Sequence, residues 1–88
     1  MIKKDLKIIN ELGIHARPAG MLANTASRFA CDIKLEKDGM EVNAKSIMGI
    51  MTLAAGNGSV ITVTAKGKDE AEAVKALEAL FARKFDED

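Results

Sequence analysis

The sequence predicts a two-layer α+β domain in which a four-stranded sheet is covered on one face by three helices. Some segments alternate apolar and polar residues, as strands with one wet face do, and others carry an apolar stripe at helical spacing. In chain order they are strand, helix, strand, strand, short helix, strand and helix. A chain of 88 residues supports one core, so we expect a single domain over residues 1–88. If the first helix joins two parallel strands with another strand between them, the sheet is a split β-α-β arrangement.

The first strand is predicted at the start of the chain. Apolar residues Ile2, Leu6 and Ile8 occupy even-numbered positions there, whereas charged residues occupy most of the odd-numbered ones. After a turn over residues 10–13, Pro18 predicts that a helix begins near Ala16, because proline in the first helical turn loses no hydrogen bond. The apolar stripe of this helix extends to about residue 29 and comprises Ala19, Leu22, Ala23, Ala26 and Phe29.

A β-hairpin is predicted around Asp38-Gly39, a dipeptide that favours the type I′ turn between two strands. A two-residue loop here places apolar residues opposite each other on one face of the hairpin. Counting outward from the turn, the expected pairs are Lys37 and Met40, Glu36 and Glu41, Leu35 and Val42, and Ile33 and Ala44.

Ser46 is a candidate N-cap for a short helix, since its hydroxyl can accept a hydrogen bond from a backbone N–H two or three residues later. Residues 47–55, which follow it, are apolar on nearly every side. If Ile50, Leu53 and Ala54 face the core, the residues left outside are Ile47, Met48 and Met51. Exposed methionines suit a surface that binds several partners, whereas buried ones fill gaps in a core. The spacing alone leaves both interpretations open.

The last strand is predicted over residues 60–65, where apolar side chains alternate with threonines. The last helix follows, with Asp69 at its N-cap and Glu72 three residues later, the arrangement of a capping box. The apolar stripe of this helix comprises Val74, Leu77, Leu80, Phe81 and Phe85. The chain ends in Asp86-Glu87-Asp88, whose charges oppose the helix dipole, so we expect these residues to fray.

The composition disfavours several classes of function. Thirteen basic residues balance thirteen acidic ones, and only three residues are aromatic, so neither the charge nor the stacking surface of a nucleic-acid binder is present. No apolar run approaches the roughly 20 residues of a membrane span, and no signal-peptide core follows the N-terminus. The single Cys31 excludes an internal disulfide and fits a reducing compartment. We therefore expect a cytoplasmic protein that binds neither nucleic acid nor membrane.

The stretch Gly13-Ile14-His15-Ala16-Arg17-Pro18-Ala19-Gly20 contains the chain's only histidine and only proline. His15 is expected at a helix N-terminus, where free N–H groups and a partial positive charge attract anions. That charge favours neutral imidazole, which is a nucleophile, and Arg17 is placed to bind phosphate oxygens. The combination indicates phosphoryl transfer onto His15. An ordinary loop histidine beside a solvated arginine explains the same residues, and both interpretations stay open at this point.

Two motifs, Gly13-Ile14-His15-Ala16-Arg17-Pro18-Ala19 and Lys45-Ser46-Ile47-Met48-Gly49-Ile50-Met51, resemble those of the HPr family at the spacing found there. Members of this family are the histidine-containing phosphocarriers of the bacterial phosphoenolpyruvate-dependent sugar phosphotransferase system. The resemblance covers essentially the whole chain. It implies an open-faced β-sandwich whose antiparallel sheet has the strand order 1-4-2-3, and it implies no cofactor.

The resemblance also implies a role for particular residues. His15 matches the residue that takes phosphate on Nδ1 from a phosphohistidine of enzyme I and passes it to enzyme IIA, and Arg17 matches the arginine that assists. The helix start at Ala16, Arg17 and Pro18 is the expected phosphate-binding segment. Ser46 matches the regulatory serine that HPr kinase/phosphorylase phosphorylates in many bacteria. The residues implied to dock partners are Gly20, Ile47, Met48 and Met51, and relatives often carry a slightly larger residue in place of Gly20.

Several alternatives remain at this stage. HPr relatives also serve nitrogen-regulatory or dihydroxyacetone-kinase phosphotransfer chains, although the Ser46 motif favours the sugar system. A hydrolase would need a base and an orienting group beside its nucleophile, and one histidine with one cysteine does not supply them. The same two residues, His15 and Cys31, are too few to bind a metal ion. We therefore expect no metal. A pure interaction module that uses Met48 and Met51 is the remaining rival, and in either case we expect a monomer.

Overall fold

The computed structural model of the chain describes residues 1–87. Its elements are β1 (Ile2–Lys7), α1 (Ala16–Ser27), β2 (Asp32–Lys37), β3 (Met40–Asn43), α2 (Ile47–Thr52), β4 (Val60–Lys66) and α3 (Glu70–Ala82). A short turn, Lys84–Asp86, follows α3. This order is the predicted one.

The four strands form one antiparallel sheet in the order β1-β4-β2-β3. Since β4 runs antiparallel to both of its neighbours, β1 and β2 are parallel to each other and α1 connects them. The sheet is therefore the split β-α-β arrangement, and the helices pack on one of its faces as an open-faced sandwich. The predicted fold class and strand order are confirmed.

The hairpin between β2 and β3 has the predicted register. Asp38 and Gly39 both have positive φ, 51° and 83°, as a type I′ turn requires. The pairs counted outward from the turn are Lys37 with Met40, Glu36 with Glu41, and Leu35 with Val42. Beyond β3, the backbone N–H of Ala44 donates to the carbonyl of Ile33 over 2.9 Å. The turn dipeptide was thus sufficient to predict the pairing.

One hydrophobic core lies between the sheet and the helices. Alternate residues of β2 and β4 point into it, and so do the predicted stripes of α1 and α3. Fully buried members include Leu22, Ile33, Leu35, Ile50, Ile61, Val63, Leu77 and Phe85. Within residues 1–87, no helix combines the length and the apolar composition needed to cross a bilayer.

The predicted capping box at the start of α3 is wrong. Asp69 occupies the N-cap position, but its side chain makes no cap hydrogen bond. Its two carboxylate oxygens instead accept hydrogen bonds from the backbone N–H groups of Ala30 and Cys31, at 2.8 and 2.9 Å. The carboxylate of Glu70 accepts from the Gly67 N–H over 3.0 Å. Asp69 therefore joins the loop after α1 to the start of α3.

The predictions for the end of the chain are partly wrong, because Phe85 is buried as expected but does not belong to α3. Helix α3 ends at Ala82, and Lys84, Phe85 and Asp86 adopt left-handed conformations with φ of 56°, 54° and 59°. This turn places Phe85 in the core, where its ring centroid is 5.0 Å from that of Phe81. Glu87, which was expected to fray, instead forms hydrogen bonds with the side chains of Asn10 and His15. The fraying expected of Asp88 lies outside the described residues.

Candidate functional site

His15 is the N-cap residue of α1. Its backbone is extended, with φ −93° and ψ −166°, and its carbonyl accepts the N–H of Ala19 over 2.9 Å. The imidazole makes no cap hydrogen bond with α1, so the ring is available for other contacts. The side chain is 41% exposed. The helix starts at Ala16 as Pro18 predicted, and the first N–H groups of a helix have no partners within it.

The backbone before His15 is fixed by a close approach between two loops. The N–H of Ile14 donates to the carbonyl of Ala55 over 2.8 Å, and the Ile14 side chain is buried. Gly13 has φ 71°, and a Cβ at this position would lie 2.6 Å from the same Ala55 oxygen. Only glycine fits here, because any other residue would push the loops apart. After His15, the first turn of α1 is anchored by the buried residues Pro18 and Ala19.

A carboxylate from the end of the chain contacts the ring. Oε2 of Glu87 lies 2.7 Å from Nε2 of His15, and Oε1 of the same side chain accepts from Nδ2 of Asn10 over 3.0 Å. Nδ2 of the fully buried Asn10 also donates to the carbonyl of Gly13 over 2.7 Å. The Asn10 hydrogen bond is the main cause of a lowered pKa at Glu87, followed by the His15 contact and the charges of His15 and Arg17. Glu87 is therefore held as the carboxylate.

Two residues of this cluster, Asn10 and Glu87, were missed by the sequence analysis. Asn10 was assigned only to a turn, and Glu87 only to a fraying end. Their contacts join positions 72 to 77 residues apart. An isolated sequence carries no local pattern for such contacts, although an acidic chain end and a single histidine are at least complementary in charge.

The other residues of the predicted helix start are exposed or half-buried. Ala16 and Arg17 are exposed in the first turn of α1, and Arg17 forms no ion pair with any residue from 1 to 87. Gly20 is half-buried, and a Cβ built on it would have no neighbour within 4 Å. Packing therefore does not require glycine at position 20, consistent with the larger residue expected in relatives.

The second motif forms α2 as predicted. Oγ of Ser46 accepts from the Gly49 N–H over 3.0 Å, which confirms the N-cap. We call Ile47, Met48 and Met51 the α2 patch; their exposed fractions are 45%, 77% and 43%. The helix turns its other side to the core through Ile50 and Leu53, and α2 packs against α1.

The prediction that Ala54 faces the core is wrong. Ala54 is exposed and has φ 50°, because the chain leaves α2 there in a left-handed conformation. Ala55 is buried in its place and supplies the carbonyl that holds Ile14. The end of α2 thus fixes the loop that supports His15.

The site is a surface rather than a cavity. Residues 1–87 enclose no pocket of ligand size. In the same part of the chain, no three acidic, histidine or cysteine side chains come close enough together to hold a metal ion. Cys31 is buried, and burial followed by the neighbouring Asp69 raises the pKa of its thiol. A partly exposed imidazole at a helix N-terminus is accessible to a group presented by another macromolecule.

Comparison with known proteins shows the family and the fold. The sequence model of the family described as "PTS HPr component phosphorylation site" matches residues 2–83. The chain is 47% identical over 88 residues to the phosphocarrier protein HPr of Treponema pallidum, and the match covers all of both chains. It superimposes on the crystal structure of HPr-C-His from Thermoanaerobacter tengcongensis with a TM-score of 0.96 at 49% identity, covering 100% of this chain and 99% of that one.

A second structure from Thermoanaerobacter tengcongensis, described as an HPr dimer, matches with a TM-score of 0.80 at 49% identity, over 99% of this chain and all of that one. Family, relatives and structures agree over nearly the full length of the chain. The chain belongs to the HPr family, the phosphocarriers of the phosphotransferase system.

Proposed function

We propose that His15 is the residue that carries the phosphoryl group, taking it from a phosphohistidine of enzyme I and passing it to a histidine of enzyme IIA. The observation that carries the proposal is the position of the imidazole, partly exposed at the N-cap of α1 and not engaged in capping. A phosphoryl group on this ring would lie next to the first N–H groups of α1 and its positive dipole end. In this proposal the whole chain, residues 1–88, acts as one carrier domain.

Arg17 and the start of α1 stabilise the phosphoryl group in this proposal. The guanidinium of Arg17 is exposed in the first turn and free of ion pairs within residues 1–87. It can therefore form charge-assisted hydrogen bonds with phosphate oxygens during transfer. The backbone N–H groups of Ala16 and Arg17 add donors, whereas Pro18 has none and serves to fix the helix start.

The α2 patch is the proposed docking surface for enzyme I and enzyme IIA, together with Gly20 on α1. Three large apolar side chains of this six-residue helix are exposed instead of packing into the core. Methionine adapts its shape to different partners, which suits a carrier that must bind both a donor and an acceptor. Because α2 packs on α1, a partner bound at the patch would also reach the helix start that holds His15.

Ser46 is the proposed regulatory site, phosphorylated by an HPr kinase/phosphorylase where one exists. Its side chain is half-buried, caps α2 and directly precedes the α2 patch. A phosphate there adds about 1.5 to 2 negative charges next to the docking surface. The cap position tolerates this charge, but an apolar partner surface does not.

The sugar phosphotransferase system is the favoured setting, with a nitrogen-regulatory or dihydroxyacetone-kinase chain as the alternative. The presence of the Ser46 motif supports the first. We propose a cytoplasmic monomer, although the dimer reported for an HPr relative makes the oligomeric state a quantity to measure.

The test is incubation of the protein with enzyme I, Mg²⁺ and phosphoenolpyruvate, followed by intact-mass spectrometry. We expect one added phosphoryl group that is labile in acid and stable in base, as phosphohistidine is, and no addition to His15→Ala. An unmodified wild-type protein, or a modified His15→Ala variant, would show that the proposal is wrong. Adding enzyme IIA from each candidate system in turn then identifies the acceptor.

A further inference from the structure

The end of the chain is built into the fold next to His15. After α3, three successive non-glycine residues with positive φ redirect the backbone. Such conformations are unfavourable for residues other than glycine and persist only where the surroundings impose them. Here the full burial of Phe85 against Phe81 imposes the turn, and the N–H of Glu87 donates to the carbonyl of Lys84 over 2.9 Å. This structured segment therefore places the Glu87 carboxylate against the imidazole.

The carboxylate of Glu87 forms hydrogen bonds with two side chains, one through each oxygen. Oε1 accepts from Asn10, which is itself buried and fixed to the Gly13 carbonyl, and Oε2 faces Nε2 of His15. Asn10 therefore fixes the carboxylate, and the carboxylate in turn meets the ring. The Glu87 side chain is only 13% exposed, so water competes little for these contacts.

The contact determines which ring nitrogen carries hydrogen. An ionised carboxylate only accepts hydrogen bonds, so an Nε2 atom 2.7 Å from it must be the protonated nitrogen. In a neutral imidazole the lone pair is then on Nδ1. The chain thus presents Nδ1 as the nucleophile of His15 and holds the ring against rotation.

The carboxylate also meets the charge that forms during transfer. When the Nδ1 lone pair attacks phosphorus, an Nδ1–P bond forms and the bond from phosphorus to the donor nitrogen breaks, with its electron pair leaving on the donor. The proton on Nε2 stays in place, so the phosphorylated ring is cationic. That positive charge lies directly against Glu87, and the step needs no proton to leave the protein.

We propose that Glu87 is a positioning residue for phosphoryl transfer, whose carboxylate keeps hydrogen on Nε2 of His15, leaves Nδ1 free to attack, and balances the charge of the phosphorylated ring. This role rests on the proposed phosphorylation of His15. Asn10 supports it by orienting the carboxylate.

The proposal is tested first without any partner protein. The ¹⁵N chemical shifts of the two ring nitrogens, recorded at a pH where His15 is neutral, report which nitrogen carries hydrogen. We expect wild type to be almost entirely the Nε2–H form and Glu87→Ala to contain a clearly larger share of the Nδ1–H form. Glu87→Gln should fall between them, because its amide has one acceptor oxygen for two donors. Asp86→Asn makes the same charge change one residue away and should match wild type.

The second measurement is the rate of phosphorylation by enzyme I. We expect Glu87→Ala to be slower by about 10-fold, the lower end of what loss of a partner that orients a histidine costs at metal sites, while Asp86→Asn stays within about 2-fold of wild type. If wild type is phosphorylated and Glu87→Ala matches it in both tautomer and rate, the role of Glu87 is overturned. A wild-type protein that takes no phosphate would instead overturn the proposed function, and the ring-nitrogen shifts would still decide whether Glu87 sets the tautomer.

Discussion

At the scale of single residues, the two opposite charges closest in role to His15, Glu87 and Arg17, differ in how they are held. Glu87 approaches the ring through Nε2 and is fixed by Asn10, whereas Arg17 is exposed on the first turn of α1 with no ion pair among residues 1–87. A group that is already hydrogen-bonded can orient the ring, and a free cation can bind an incoming phosphate. In the proposed function, orientation of the ring and binding of the anion are therefore tasks of two different residues.

Arg17→Glu should leave the fold intact and slow phosphoryl transfer. A carboxylate in the first turn of a helix is favoured by the dipole, so we expect a stability change within about 0.5 kcal/mol. The new carboxylate repels phosphate, and the substitution removes the guanidinium that would donate hydrogen bonds to it. Because hydrogen bonds to charged groups are worth about 1.5–3 kcal/mol, the transfer rate should fall by about 10-fold or more.

The measurement is the rate of phosphorylation by enzyme I, with thermal unfolding to monitor the fold. Arg28→Glu is the matched control, since it makes the same charge change at the C-cap of the same helix. An unfolded Arg17→Glu protein, or equal rates for both variants, would contradict the role assigned to Arg17.

At the scale of elements, α2 is a six-residue helix whose cap residue directly precedes the proposed docking surface. Ser46 fixes the first turn through the Gly49 N–H, and the α2 patch begins with the next residue. A charge added at the cap would therefore lie directly beside the proposed docking surface. If Ser46 is modified and the α2 patch binds partners as proposed, proximity alone couples the two.

Ser46→Asp should remain folded but accept phosphate from enzyme I far more slowly than wild type. Aspartate caps helices as well as serine does, so only the charge beside the patch is new. Ser46→Ala should transfer at close to the wild-type rate and lose about 1 kcal/mol of stability with the cap. Ser46→Asn is the matched control, because it caps without a charge. Equal steady-state transfer rates for the Asp and Asn variants would leave Ser46 as a cap and nothing more.

Met48→Asp should weaken binding to enzyme I while changing stability by no more than about 0.5 kcal/mol, as is usual for exposed positions. The side chain is 77% exposed, so little burial is lost. Met40→Asp is the control for a new charge away from the patch, because Met40 is an exposed residue of β3. Ile50→Ala is the reference for a core substitution and should lower stability by about 2–5 kcal/mol, because Ile50 is buried. Calorimetric titration with enzyme I and denaturant melts separate the two effects. A loss of stability for Met48→Asp as large as that for Ile50→Ala would show that Met48 is a core residue and not part of a docking surface.

At the scale of the whole molecule, what the sequence predicted well rests on local chemistry. The Asp38-Gly39 turn, the Ser46 cap and the start of α1 at Pro18 each depend on residues a few positions apart. The strand order came from the family resemblance, since periodicity alone gave only the split β-α-β possibility. The histidine, the helix start and the patch were likewise visible as motifs.

Apart from Ala54, which is exposed by the left-handed end of α2, the errors involve contacts between distant parts of the chain. Asp69 had the local pattern of a capping box, but its carboxylate serves backbone donors 38 and 39 residues away. The end of α3 had a continuous apolar stripe, but burial of Phe85 is achieved by a left-handed turn. For the same reason, Glu87 and Asn10 could not be assigned to the site. Tertiary contacts outweigh local preference at these positions.

Acidification should destabilise the protein partly through Asp69. The hydrogen bond from the Ala30 backbone, with smaller contributions from Cys31, lowers the pKa of Asp69 in the folded state. Its contribution to stability is therefore present above the ordinary carboxyl pKa and is lost as the pH falls toward the lower folded-state value. Glu70 and Glu87 have pKa values shifted in the same direction.

We expect Asp69→Asn to be less stable than wild type at neutral pH and to lose less stability on acidification. Urea melts from neutral pH to below the ordinary carboxyl range measure both. Asp32→Asn, which makes the same chemical change on the exposed side of β2, is the control. Parallel stability curves for wild type and Asp69→Asn would show that this carboxylate does not join the loop after α1 to α3 in solution.

The central place of β4 has a consequence for how the chain reaches its structure during synthesis. The hairpin of β2 and β3 joins neighbouring segments and can pair as soon as both have left the ribosome. Strand β4 pairs with β1 and β2, yet it is the last strand to be made. Until residues 60–66 emerge, β1 and one edge of β2 have no partner, and exposed edges of this kind invite pairing with other chains. Closing the sheet around a late central strand also joins segments far apart in sequence, which is the slow kind of contact in folding.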